Sequence, residues 1–205
     1  MKDESARTTS LEFAEIGGVV TTYGNDLSRA LSSVDTDALS RAIKAVVVAV
    51  DAGAHIYSLG NGGSAAIADH LCCDWTKLTL VDGLPSVLTT SLTANMPLYS
   101  AFANDVAFED VFARQLRIYG RAGDLLVAIS SSGDSENVVR AAAEAKAIGM
   151  SVLGMTGFSG GRLRSMVDIP LHVSFASYGI VEDAHQALMH IIAQYLLSRR
   201  RSGVS

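Results

Sequence analysis

His70 and Asp74 stand one helical turn apart, so a helix over this stretch sets both side chains on one face. Imidazole and carboxylate are the groups that general acid–base catalysis uses, and both ligate divalent metals such as zinc. Glu182, His185, Gln186 and His190 bring the same chemistry together near the C-terminus, in a chain with only 5 histidines. One such histidine alone would read as structural; the accumulation points toward a site. Geometry limits it. Eight residues of helix rise about 12 Å, so Glu182 and His190 meet at one ion only if Glu182 lies on an irregular first turn or a neighbouring subunit supplies one of them.

Two turns carry a different chemistry. Ser58-Leu59-Gly60-Asn61-Gly62-Gly63-Ser64 breaks an apolar run with glycines, which let backbone approach a ligand closely. Ser130-Ser131-Ser132-Gly133-Asp134-Ser135 follows a second apolar run. Serine hydroxyls and the N–H groups of a helix start hold a phosphate dianion without a lysine. Capping by Asp134 or Ser135 would use one side chain and leave the other hydroxyls unexplained. Neither turn has the Gly-Lys-Ser/Thr of a Walker loop, and the first lacks the full dinucleotide spacing, which argues against nucleotides. Asn104-Asp105 reads equally as a turn or as polar groups offered to sugar hydroxyls.

Alternating elements must position these residues. Helical periodicity runs over 11–31 and 36–52, with Asp35 a cap, and resumes over 65–77, 96–103, 108–119, 136–148, 162–166 and 180–198. Apolar runs at 54–57, 86–90, 124–129, 151–155 and 169–174 read as strands, and Gly149 as a helix stop. Continuous apolar strands alternating with helices predict an α/β fold, a three-layer doubly wound sandwich around a central, mostly parallel sheet. Ligands of such sheets bind beyond the carboxyl ends of the strands, where both polar turns fall. Residues 1–10 are expected to be a flexible tail before a single domain over 11–200.

Bulk composition narrows the function classes. A net charge of −5 argues against nucleic acid as the main ligand. With 49% apolar and 18% charged residues, surface hidden in an oligomer is expected. The basic cluster Arg199-Arg200-Arg201 reads as cations complementing a helix C-terminus. Cys72 and Cys73 are adjacent, so they bridge poorly and read as small buried hydrophobes in a reducing compartment. Trp75 reads as packing. Lys44, Asp51 and His55 interrupt the longest apolar run, so no membrane span is expected. The polar, acidic start is unlike a secretory signal, and a cytoplasmic location is expected.

Taken in order, Gly60-Asn61-Gly62-Gly63-Ser64 with His70, Asn104-Asp105 with Phe108, Ser130 to Ser135, Thr156-Gly157 with Gly160-Gly161, and His190 resemble the sugar isomerase (SIS) fold and, within it, the phosphoheptose isomerase family. The resemblance covers nearly the whole chain. It implies a homotetramer with inter-subunit active sites, its N-terminal helices in the contacts between subunits. It also implies zinc, and a phosphosugar aldose–ketose isomerase converting D-sedoheptulose 7-phosphate to D-glycero-D-manno-heptose 7-phosphate through an enediol(ate). Substrate contacts would then be Asn61, Gly62, Gly63, Ser64, Asn104, Asp105, Ser130, Ser131, Ser132 and Ser135, joined by Asp74 and Glu182. Metal ligands would be His70, Asp74, Glu182 and His190, with Asp74 and His190 catalytic.

This chain departs from the family's pattern at Asp74, where the family has Glu, at Glu182, where it has Gln, and at Gly179, usually a polar residue. Asp is one methylene shorter, so the backbone or the metal must sit closer to the substrate. Glu182 adds a negative charge, which favours retention of a divalent cation. An isomerase of another phosphosugar, or a non-catalytic SIS protein that binds phosphosugars or associates with a replication initiator, are the alternatives. The initiator-associating relatives typically lack the terminal histidine, so His190 favours an enzyme.

Overall fold

Five strands form one all-parallel sheet in the computed structural model, which describes residues 16–203; the strand Thr89–Ser91, Thr-Thr-Ser, is the polar one. In chain order the elements are α1 (Ile16–Ser32), α2 (Thr36–Asp51), β1 (Ile56–Leu59), α3 (Gly63–Cys73), a π-helical turn (Asp74–Leu78), β2 (Thr89–Ser91), α4 (Met96–Asp105) and a 3₁₀ turn (Phe108–Asp110). They continue with α5 (Val111–Tyr119), β3 (Leu125–Ser130), α6 (Glu136–Ile148), β4 (Ser151–Thr156), α7 (Gly161–Met166), β5 (Ile169–His172) and α8 (Tyr178–Ser202). The expected tail, residues 1–10, and the start of the first helix at Leu11 lie outside the described residues.

Successive residues of β3 point to opposite faces of the sheet, and the two faces build two cores. Leu125, Val127 and Ile129 pack with side chains of α2, α3 and α8, whereas Leu126 and Ala128 pack with side chains of α5, α6 and α7. Burial on both faces is why these strands read as unbroken apolar runs. The strand order is β2-β1-β3-β4-β5. The chain therefore reverses its direction of travel between β1 and β3, and a crevice opens beyond their carboxyl ends. Both polar turns leave the sheet there.

Three expectations need adjustment. The helix expected over 65–77 stops as α at Cys73 and widens into the π turn that begins at Asp74. Such turns present side chains at angles a regular helix does not allow. Trp75, fully buried with its indole donating to the Met189 carbonyl, pins that turn to α8. Cys73 is exposed, not a buried hydrophobe; only Cys72 turns inward, against the Ser58 hydroxyl, and both cysteines are free. The arginine cluster does more than complement a dipole. Arg199 grips Asp51 through two bonds of 2.8 and 2.9 Å, and buried Arg200 donates to the carbonyls of Thr79 and Pro85. Among the described residues, no helix is long and apolar enough to cross a membrane.

Candidate active site

The two turns and the first turn of α8 enclose a cavity of about 650 Å³, lined by Asn61, Ser64, Ile129, Ser130, Ser131, Ser132, Asp134, Ser135, Tyr178 and Glu182. Its serine wall is built at the end of β3. Gly133 has a positive φ of 72°, and a Cβ there would strike the Gly160 carbonyl, so the turn closes against the start of α7 only with glycine. The Ser130 hydroxyl accepts from the Gly133 N–H at 3.1 Å, and the Gly157 N–H donates to the Ser131 carbonyl. The Asp134 carboxylate at the cavity's edge is held by the Arg162 backbone N–H and guanidinium. Ser135 occupies the N-cap position of α6, yet its hydroxyl makes no capping bond. The buried Ser131 hydroxyl likewise has no partner among the described residues. Unpaired hydroxyls at a helix start suit a phosphate better than a cap.

The glycine-rich turn forms the facing wall. Asn61 is locked to Asn137 by two reciprocal amide bonds of 2.8 and 2.9 Å, which tie this turn to the first turn of α6. Gly63 opens α3, and the Glu182 carboxylate lies where a Cβ would be. Glu182 is half-buried, and burial raises its pKa, with the charge of Asp183 adding in the same direction. Asp183 itself accepts a 2.6 Å bond from the Tyr23 hydroxyl of α1, which pushes that phenol up to about 12.

Beyond this cavity along α3 and α8, His70, Asp74 and His190 converge, with one ligand atom from each within 4.8 Å of the others. Asp74 lies between the rings: its Oδ1 is 3.4 Å from His70 Nε2 and its Oδ2 is 3.3 Å from His190 Nε2. The rings meet edge to face with centroids 5.1 Å apart. Two imidazoles and a carboxylate facing one point are the nitrogen–oxygen donor set that zinc takes, so these residues fit a divalent cation.

Glu182 lies outside that cluster and faces the serine cavity, as the length of an intact helix requires. Asn104 and Asp105 end α4, bonded to one another at 2.7 Å, and neither lines the cavity. Sequence reasoning did not single out Asn137 or Tyr178, and it gave Asp134 only a capping role. Asn137, in the first turn of α6 immediately beyond the serine turn, carried the one signal that could have found it, a polar side chain on an otherwise alanine-rich helix. Gln186 was noted on the last helix but given no role; its amide nitrogen lies 2.7 Å from His70 Nδ1 and 3.2 Å from His190 Nε2.

The SIS domain profile matches residues 21–157, and the chain belongs to the SIS domain family. A phosphoheptose isomerase of Mycobacterium bovis is 37% identical over 193 residues, 94% of each chain. One from Desulfovibrio desulfuricans is 40% identical over 142 residues, 69% of this chain and 67% of the relative. The solved phosphoheptose isomerase of Neisseria gonorrhoeae superposes with a TM-score of 0.81 at 28% identity, over 90% of this chain and 100% of that one. Within the SIS domain proteins, the chain is a member of the phosphoheptose isomerase group.

Proposed function

We propose that this protein isomerises D-sedoheptulose 7-phosphate to D-glycero-D-manno-heptose 7-phosphate through an enediol(ate). The observation that carries the reading is the placement of the Asp74 carboxylate between two imidazoles, beyond a serine-lined cavity of about 650 Å³. Ser64 and His70 share α3 and are separated by about 9 Å of rise, a span that an open-chain sugar phosphate covers. The phosphate is held by Ser130, Ser131, Ser132 and Ser135 with the N–H groups that open α6. Asn61 and the backbone of Gly62 and Gly63 orient the sugar chain, and its carbonyl end reaches Asp74 and His190.

Aldose–ketose isomerisation moves a proton between neighbouring carbons and another between their oxygens. Asp74 and His190 divide these transfers as base and acid. Zinc is the cofactor of this reading, held by His70, Asp74 and His190, and when bound it polarises the carbonyl and hydroxyl oxygens. Glu182, from its position over Gly63, contacts the substrate within the cavity. Asn104 and Asp105 contact substrate only if a neighbouring subunit contributes them, which accords with a homotetramer. Exposed apolar side chains on α1 (Ile16, Val20) and α8 (Ile191, Tyr195) support such an assembly.

The test is NMR observation of metal-defined protein with sedoheptulose 7-phosphate, with Asp74→Asn and His190→Ala alongside. Formation of the aldoheptose phosphate by the parent and its loss in both variants supports the reading. Absence of turnover with zinc and other divalent ions sinks it. Turnover of a different phosphosugar instead would assign the shortened Asp74 to another substrate.

A further inference from the structure

A phosphate dianion meets an electrostatic difficulty in this cavity. Among the described residues that line it, the charged ones are Asp134 and Glu182, with neither lysine nor arginine beside them. Glu136 adds a further carboxylate in the first turn of α6, immediately past the serine turn. Uncompensated negative charge there would oppose what a helix start offers an anion. One guanidinium reaches both carboxylates of the serine wall. Arg162, in α7, sets its Nε 3.2 Å from Asp134 Oδ1 and its Nη1 2.8 Å from Glu136 Oε2. We propose that Arg162 is a positioning residue for phosphate, which neutralises Asp134 and Glu136 and engages the serine turn's acceptors so that its donors remain for the dianion.

The bonding of the turn carries this role. Arg162 Nη2 donates to the Asp134 carbonyl at 2.8 Å, and the Arg162 backbone N–H donates to Asp134 Oδ1 at 3.0 Å. The Leu163 N–H donates to the Gly133 carbonyl and the Gly157 N–H to the Ser131 carbonyl, both at 2.9 Å. The segment from Gly157 to Leu163 thus takes up three carbonyl oxygens of the serine turn. The N–H groups of Ser132 and Ser135 and the hydroxyl of Ser131 have no partner among the described residues. Engaged acceptors and open donors are the polarity an anion requires. The Asp134 carboxylate also packs against the start of α7 so closely that a Cβ on Gly161 would come within 2.7 Å of it. Glu136 has a second cation, Arg140, at 2.8 Å, whereas Asp134 pairs with Arg162 alone among the described residues. Both Asp134 and Arg162 are about half exposed, so the pair contributes little to stability. Its effect lies in the field at the serine wall.

This role rests on the phosphate-binding reading of the serine turn, not on the reaction at Asp74, so binding is tested first. Inorganic phosphate is titrated into the metal-free full chain and followed by ³¹P NMR. Arg162→Met should weaken phosphate about tenfold, because Asp134 is then uncompensated beside the dianion. Asp134→Asn/Arg162→Met, which also removes that carboxylate, should recover most of the loss. Arg162→Lys keeps the charge and should stay within about threefold of the parent. The penalty of Arg162→Met should shrink between about 0.01 M and about 0.1 M salt, as screening shortens the reach of Asp134. With sedoheptulose 7-phosphate, the same variant should raise KM about tenfold and leave kcat within about twofold. Urea midpoints close to the parent's should accompany these changes, and Arg162→Gln replaces the methionine variant if that one fails to fold. Phosphate affinity unchanged in Arg162→Met, a double variant as weak as the single, or a parent that binds no phosphate overturns the proposal. A parent that binds phosphate through Arg162 but turns over no sedoheptulose 7-phosphate sinks the isomerase reading and leaves this role standing.

Discussion

Both histidines of the cluster face the oxygens of Asp74, which the proposed function makes its base or acid. Asp74→Asn preserves its size and removes its charge, and should reduce kcat about 10²- to 10⁴-fold, the usual worth of a positioned acid or base; progress curves followed by NMR read this directly. His185, on the same helix, has a different fate. It is fully buried, neither ring nitrogen has a hydrogen-bond partner of ordinary geometry, and desolvation lowers its pKa to about 4, the nearby Thr156 backbone offsetting this only in part. His172, bonded to the Thr156 hydroxyl, is lowered by burial as well. Between about pH 4 and 6.5 the unfolded chain therefore binds protons that the folded chain refuses, so stability is present above 6.5 and falls as pH drops through that window. For His185 the loss amounts to about 3 kcal/mol at most. Urea unfolding at pH 7.5 and pH 5 should show this loss, and His185→Leu should shrink it. The histidines were visible in the sequence, but which would be buried was not, because burial depends on what α8 packs against.

At the scale of elements, the site is made where helix starts meet strand ends. The glycine-rich turn and the serine turn were legible because each interrupts an apolar run at the point where a parallel strand must give way to a helix. Their mutual locking was not, since Asn61 and Asn137 are far apart in sequence and only the adjacency of β1 and β3 joins them. Asn137→Leu should leave the half-buried Asn61 amide without its partner and raise KM for the phosphosugar several-fold, with a stability cost of about 1–3 kcal/mol in thermal or urea unfolding. Gly63 marks a second junction of this kind. A methyl group there occupies the space of the Glu182 carboxylate, so Gly63→Ala should destabilise by about 1–3 kcal/mol. Adding Glu182→Ala to that variant should recover most of the loss, and a double-mutant cycle measures the coupling.

Across the whole molecule, α8 integrates the fold. It packs on α1, α2, α3 and the π turn, and it carries Glu182 at the serine-lined cavity and His190 at the cluster with His70 and Asp74. Its far end is anchored by Arg200, whose guanidinium satisfies the otherwise unpaired carbonyls of Thr79 and Pro85 next to the π turn. Arg200→Ala leaves the carbonyl of buried Thr79 unmet and should cost about 1–3 kcal/mol, read as a lowered urea midpoint. Because the same anchor steadies the turn that begins with Asp74, kcat should fall with it.

Local chemistry settled much of this protein before folding entered. Strand runs too apolar for a solvated face required a sheet covered on both sides, and breaks of glycine and serine at strand ends marked the walls of the cavity. A helical spacing of four residues paired His70 with Asp74. What the tertiary structure decided was which distant groups share a space. It sent His190 to Asp74 and Glu182 to the serine cavity, because an intact helix keeps them about 12 Å apart. It bent the chain into a π turn at Asp74 under the packing demand of Trp75, and it set Gln186 between two rings. Such facts depend on long-range packing and helix rotation, which no short window of sequence contains.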